Sequence, residues 1–255
     1  MLLAIDIGNT SISLGFYEED ELKLSLRVAT VLHRLPDEYA SLLLHLLEIN
    51  KIQARTIDNV ALCSVVPPLT DAFEKLCRKY FDVEPLIVGA GVKTGVKIRM
   101  DNPREVGADR IVNAAAAYDL YKSACIIVDL GTATTFDTVS ATGEYIGGAI
   151  APGMTTAVEA LSARTSMLPR IELQRPEKAI GTSTVKAMQS GMVFGYIGLI
   201  EGIISRIQAE LPARAKVIAT GGYAELLNAE AGLFDAVNPD ITLYGLRLIY
   251  YMNKA

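Results

Sequence analysis

One short pattern, written twice, constrains this chain more than any other feature. "LLAIDIGNTS" (residues 2–11) and "IIVDLGTATT" (126–135) each carry an apolar run into a single acid, then an apolar residue, a glycine and a threonine. A short apolar run closed by turn residues reads as a buried strand, and the acid falls at its carboxyl end, where open α/β sheets bind ligands. An offset of 123 residues superimposes Asp6 on Asp129 and Gly8 on Gly131. One such turn has an ordinary explanation, since Asp, Gly, Asn and Thr are common turn formers. Two copies in matching strand–turn–strand contexts point to a duplicated α/β unit.

The flanking sequence repeats the context. "SISLGFY" and "ELKLSLRVAT" alternate as strands around the turn "EED", "PDEYASLLLHLLEIN" patterns as an amphipathic helix, "NVALCSVVPP" is a strand closed by Pro67 and Pro68, "LTDAFEKLCRKYF" is a second helix and "EPLIVG" a strand. The second half gives strands at "CIIVDLGT", "ATTFDTVSA" and "YIGGAIAP", a helical stretch from Val185 to Leu211, a strand at "AKVIATGG" and a closing helix at "TLYGLRLIYYMNKA". The expected architecture is α/β: two ribonuclease-H-like lobes, residues 1–118 and 119–255, with a nucleotide cleft between them and the closing helix a candidate to pack back on the first lobe.

The chemistry follows from placing an acid and a glycine at a strand end. A carboxylate there can hold a hard cation such as Mg²⁺, directly or through water, while the glycine lets backbone N–H groups approach a phosphate. Thr10 and Thr132 add hydroxyl donors. Gly221 and Gly222, after the strand "AKVIA", would let a planar ring and ribose lie close to backbone. No Walker sequence occurs, and "GAGVKTG" (89–95) does not match the dinucleotide fingerprint.

"DNPREVGADRIVNAAAAY" (101–118) passes from a polar turn into an alanine-rich helix. Gly107 is expected to supply an unusual backbone angle before it, leaving Asp109 and Arg110 in its first turn. Asp109 is either a helix cap or a general base for an acceptor hydroxyl, with Arg110 countering anionic charge. His33 and His45 lie far from these motifs, which disfavours a Ser/His/Asp hydrolase. A formal charge of −5 offers nucleic acid no overall attraction, so a small anionic ligand needs cations brought in locally. Three dispersed cysteines suit reduced, buried thiols, neither a disulfide framework nor a structural zinc site. The most apolar stretch, 192–207, contains Glu201 and Arg206, and no signal peptide is recognisable; a cytoplasmic, membrane-free protein is expected. Gly191, Gly195, Gly198 and Gly202 form a row in the long helical stretch, suited either to packing within one subunit or to a dimer contact.

With these residues in view, the chain resembles the type III pantothenate kinases, members of the superfamily of acetate kinase, sugar kinases, heat-shock 70 ATPases and actin. "DIGNT", "SVVPPL", "NPREVGADRIVNA", "VDLGTATT", "GGAIAPG", "LPRIEL", "STVKAMQSG" and "ATGG" carry the resemblance almost end to end. It implies ATP-dependent phosphorylation of pantothenate at its primary hydroxyl, the entry to coenzyme A. By the same resemblance, Asp6, Ile7, Gly8, Asn9, Thr10, Ser11, Ile12 and Ser13 would border ATP phosphate and Mg²⁺, and Thr132 would touch ATP. Asp109 would be the base. Gly107, Ala108, Asp109, Arg110 and Thr184 would contact pantothenate, and Asp129 would hold a monovalent cation, K⁺ or NH₄⁺. A homodimer is implied as well. Two positions before the Asn-Pro, many members have a tyrosine lining the acceptor pocket where this chain has Met100. The alternatives are a kinase for another small hydroxyl acceptor, a non-catalytic regulatory protein of the same fold, and an ATPase without an acceptor.

Overall fold

The computed structural model describes residues 1–254 and divides into two compact units. Unit 1 holds Met1–Lys97, Asp101–Ala116 and the residues from Asp240 on; unit 2 holds Ile98–Met100 and Ala117–Pro239.

Unit 1 begins with an antiparallel meander of β1 (Leu2–Ile7), β2 (Ser11–Glu18) and β3 (Glu21–Ala29). Helix α1 (Pro36–Ile49) leads to β4 (Asn59–Ser64), then α2 (Pro67–Leu76) to the two-residue β5 (Leu86–Ile87). The sheet order is β3-β2-β1-β4-β5, with β4 parallel to both β1 and β5. Helices cover both faces, so β1 must be apolar at successive positions, unlike a strand with one wet face. Leu3, Ile5 and Ile7 pack with Leu43, Leu47 and Phe73 from α1 and α2. Leu2 and Ala4 pack on the opposite face with Val112, Leu243, Leu246 and Ile249. The last three residues belong to the closing helix (Ile241–Asn253), and Val112 to α3 (Ala108–Tyr121). The period of two therefore turns Asp6 toward the α3 face.

Two expectations change here. Pro67 and Pro68 open α2 instead of only closing the strand, because proline's missing N–H is one that a first helical turn leaves unpaired anyway. The strand expected across "EPLIVG" shrinks to Leu86–Ile87.

After β6 (Lys97–Ile98), the second sheet is built from β7 (Cys125–Leu130), β8 (Ala133–Val139), β9 (Glu144–Pro152), β10 (Lys216–Thr220) and β11 (Ala236–Val237). Its order is β11-β10-β7-β8-β9-β6. Ile126, Val128 and Leu130 of β7 pack with Val193, Tyr196 and Ile200 of the long helix α5 (Thr184–Glu210), with Met154 of α4 (Met154–Arg164) and with Leu227 of α6 (Ala224–Ala231). By alternation Asp129 lies on the other face. Helices α4 and α6 escape a sequence reading because each is short and buries only two side chains: Met154 and Val158 in α4, Ala224 and Leu227 in α6.

The duplication is real but not residue-perfect. Asp6 pairs with Ser13 across β1/β2, and Asp129 with Thr135 across β7/β8. The 123-residue offset that aligns the acids becomes 122 beyond the turn, so the second turn is one residue shorter.

Candidate active site

In unit 1, four strand ends line up. Parallel pairing sets Cys63 beside Asp6, and antiparallel pairing sets Ser13 beside Asp6 and Arg27 beside Ser13. Cross-strand partners share a face, so Cys63, Asp6, Ser13 and Arg27 form one row across β4-β1-β2-β3. The Cys63 thiol, fully buried, donates to Asp6 Oδ1 at 3.2 Å. Arg27 Nε donates to Ser11 Oγ at 2.8 Å.

The turn between β1 and β2 is braced by Thr30, just past the end of β3. Gly8 N donates to Ser11 O at 3.0 Å, Thr30 Oγ1 donates to Gly8 O at 2.6 Å, and Thr30 N donates to Thr10 O at 3.0 Å. Asn9 and Thr10 stand exposed at its tip, while Ile7 and Ile12 are buried beneath.

Asp109 enters the same site from the first turn of α3. Its Oδ1 accepts from Arg110 N at 2.8 Å. Burial pushes the Asp6 carboxyl from 3.8 up to about 6, against the Cys63 hydrogen bond; the charge of Asp109 raises it further and that of Arg27 lowers it. Cys63 is itself pushed well above the usual thiol range by burial and by Asp6. Two acids thus meet in a part-buried site, and the charge of Asp109 opposes the ionisation of Asp6.

Gly107 relates to Asp109 in a different way than expected. Its backbone angle is not left-handed; a Cβ there would come within 2.5 Å of Asp109 Oδ1. The glycine makes room for the acid, and that contact is invisible from turn propensity. Ala108 and Arg110 flank Asp109, both part-buried.

In unit 2, Asp129 ends β7 beside Thr220 of β10. Gly131 N donates to Ala133 O at 3.0 Å, repeating the Gly8 bond, and Thr132 is exposed. Gly153 N and Thr156 Oγ1 both donate to Thr132 O, at 3.1 and 2.8 Å. Gly221, at φ +90°, lies so close to β7 that a Cβ would sit 2.6 Å from the Leu130 carbonyl carbon. Its smallness is thereby required by packing, while the exposed Gly222 follows it. Met100 lies in unit 2, its sulfur 3.3 Å from where a Gly147 Cβ would stand, and Thr184 is exposed at the start of α5 behind its cap Ser183.

The structure brings Asp6, the 7–13 turn and Gly107–Arg110 together in unit 1, and Asp129, Thr132 and Gly221 together in unit 2. Sequence reasoning missed Arg27, Thr30 and Cys63. Cys63 ends β4 as Asp6 ends β1, a signal that becomes usable only once the parallel register is known. His45 is exposed on α1, as expected for a residue outside the chemistry. Two surface depressions, about 610 Å³ beside α1 and about 380 Å³ beside β9 and α5, contain neither acid–glycine turn.

The chain resembles in fold a conserved Baf family protein from Campylobacter jejuni (TM-score 0.59, 19% identity, 99% of this chain and 98% of that one). It also resembles a Sinorhizobium meliloti protein described as a 2-dehydro-3-deoxygalactonokinase (TM-score 0.53, 11% identity, 99% and 97%). The class is an α/β fold of two units, each built on one sheet with helices packed on it. The family is narrower. The model of the type III pantothenate kinase family matches residues 2–206, and a type III pantothenate kinase from Dehalococcoides mccartyi is 61% identical over 99% of this chain and 96% of its own. The chain belongs to the type III pantothenate kinase family.

Proposed function

We propose that this chain transfers the γ-phosphoryl group of ATP to the primary hydroxyl of pantothenate, the first step of coenzyme A biosynthesis. The observation that carries the reading is the convergence of Asp6 and Asp109, from a strand end and a helix start, in a chain of this family. Phosphoryl transfer asks mainly for positioning and charge neutralisation, which two acids and their ions can provide without histidine.

In this reading Asp109 accepts the proton of the attacking hydroxyl or orients it, and Gly107, Ala108 and Arg110 hold pantothenate, with Arg110 facing its carboxylate. Met100 and Thr184 complete the acceptor contacts. Residues 6–13 meet the ATP phosphates, and Thr132, Gly221 and Gly222 meet the rest of the nucleotide. Asp6 suits Mg²⁺, directly or through water: a carboxylate raised to about 6 by burial and by Asp109 gains strongly from a cation. When bound, Mg²⁺ supplies neutralisation of phosphate charge. Asp129 suits a monovalent ion, K⁺ or NH₄⁺. Among the described residues no cluster of three or more His, Cys, Asp or Glu side chains is placed to hold a metal.

The chain acts as a homodimer in the cytoplasm, in our reading. A Cβ added at Gly191, Gly195 or Gly198 of α5 would meet nothing within 4 Å, which supports a dimer contact for these three, while at Gly202 it would meet the Arg206 side chain. By length and composition α5 is apolar enough to cross a membrane. Its exposed Glu201 and Arg206 favour a second copy over lipid. A Gly195→Leu chain should sediment as a monomer; an intact dimer would count against this interface.

The test of the reaction is ADP release from Mg-ATP with and without pantothenate, in K⁺ and in Na⁺ buffer. Turnover that requires both pantothenate and K⁺ is expected. Turnover with a different alcohol only would favour altered acceptor choice through Met100, and ADP release independent of any alcohol would make the chain an ATPase.

A further inference from the structure

The phosphate reading of the Asp6 turn leaves a charge problem. An acidic chain directs two carboxylates, Asp6 and Asp109, at the place where a polyphosphate is to bind, and it has no Walker lysine. The Gly8 amide is already engaged by Ser11 O. A metal ion neutralises only part of a nucleotide triphosphate, so a fixed cation is expected nearby.

Resting on that reading, we infer that Arg27 is the resident cation of the phosphate site, anchored through Ser11 and presenting its guanidinium fork to the terminal phosphates of the nucleotide. The register carries the argument. Asp6 pairs with Ser13 and Ser13 with Arg27, so Arg27 shares the face of Asp6 two strands away. Its Nε is fixed by Ser11 Oγ at 2.8 Å, inside the segment assigned to phosphate. Anchoring by Nε leaves the two Nη groups for a planar, bidentate hydrogen-bond pair, the geometry for which arginine surpasses lysine. Arg27 is also the cation whose field stabilises the Asp6 carboxylate. It is exposed, as a ligand-facing group must be before the ligand arrives. The competing account is an ordinary solvated arginine on an edge strand.

The test is calorimetric titration of ATP and of AMP, without Mg²⁺ and at fixed ionic strength, into wild type, Arg27→Lys and Arg27→Met. Loss of a charge-assisted pair should weaken ATP about tenfold or more in Arg27→Met while AMP changes little, with Arg27→Lys between. In turnover, KM for ATP should rise while KM for pantothenate holds. Unchanged ATP affinity in Arg27→Met, or an equal loss for ATP and AMP, would overturn the assignment. The two claims separate cleanly: a wild type that binds ATP in this Arg27-dependent way yet never phosphorylates pantothenate removes the acceptor reading and leaves the Arg27 site standing.

Discussion

The thiol of Cys63 hydrogen-bonds the carboxylate of Asp6, 3.2 Å from Sγ to Oδ1, because the parallel register of β1 and β4 makes them neighbours near the carboxyl ends of both strands. The bond fixes one oxygen of Asp6, and in the proposed reading the other serves a cation or its water. It also favours ionised Asp6 against burial and against Asp109. Cys63→Ala should cost about 1–2 kcal/mol of stability from the lost bond and the small cavity. It should also move the acid limb of the rate profile to higher pH. Cys63→Ser, which keeps a donor, should restore the limb. Matching profiles for the alanine and serine variants would show that the bond does not govern Asp6.

Asp6 itself should make the ligand-free protein pH-sensitive. Its folded value of about 6 lies above the ordinary 3.8, so its favourable contribution is full below 3.8 and is lost as pH rises through 6. Asp6→Asn removes that penalty. Near neutral pH the variant should be more stable than wild type by up to ~3 kcal/mol, an advantage that shrinks as pH falls through the same window. Denaturant melts across pH check this, and a constant difference at every pH would contradict it.

The glycine after β10 should tolerate no side chain. Gly221→Ala combines a left-handed angle with contact against the Leu130 backbone, and a loss of roughly 3 kcal/mol or more is expected. Gly232 shares the left-handed angle, φ +59°, but has nothing within 4 Å of an added Cβ, so Gly232→Ala should cost only about 1–2 kcal/mol. Equal thermal shifts for the two would show that strain, not contact, governs Gly221.

The assignment of Asp109 predicts a division between binding and chemistry. Asp109→Asn should lose ~10²–10⁴-fold in turnover while ATP binding persists, the range expected for a positioned base. Turnover near wild type would remove Asp109 from the chemistry.

What could be read in advance divides along physical lines. The meanders β1–β3 and β7–β9 were legible because short apolar runs, the alternation of β3 and tight turns are local signals, and both acids fell at strand ends as expected. The Cys63–Asp6 bond was not, because it depends on a parallel pairing between residues 57 apart in sequence. Arg27 was hidden for a related reason: on an exposed strand face it looks like any solvated charge until two registers are chained. Gly107 reads in the sequence as a turn glycine, and its contact with Asp109 is not legible there, since a crowded side chain two residues later leaves no mark in turn statistics. The shorter second turn shows the same limit, as one deleted residue shifts every later partner without altering either motif.

The most direct measurement follows the phosphoryl group itself. Purified protein is given γ-labelled ATP, Mg²⁺, K⁺ and pantothenate, and the products are separated. Label appearing in pantothenate in step with ADP is the predicted result. ADP accompanied only by labelled inorganic phosphate, from folded protein saturated with both substrates, would contradict the account.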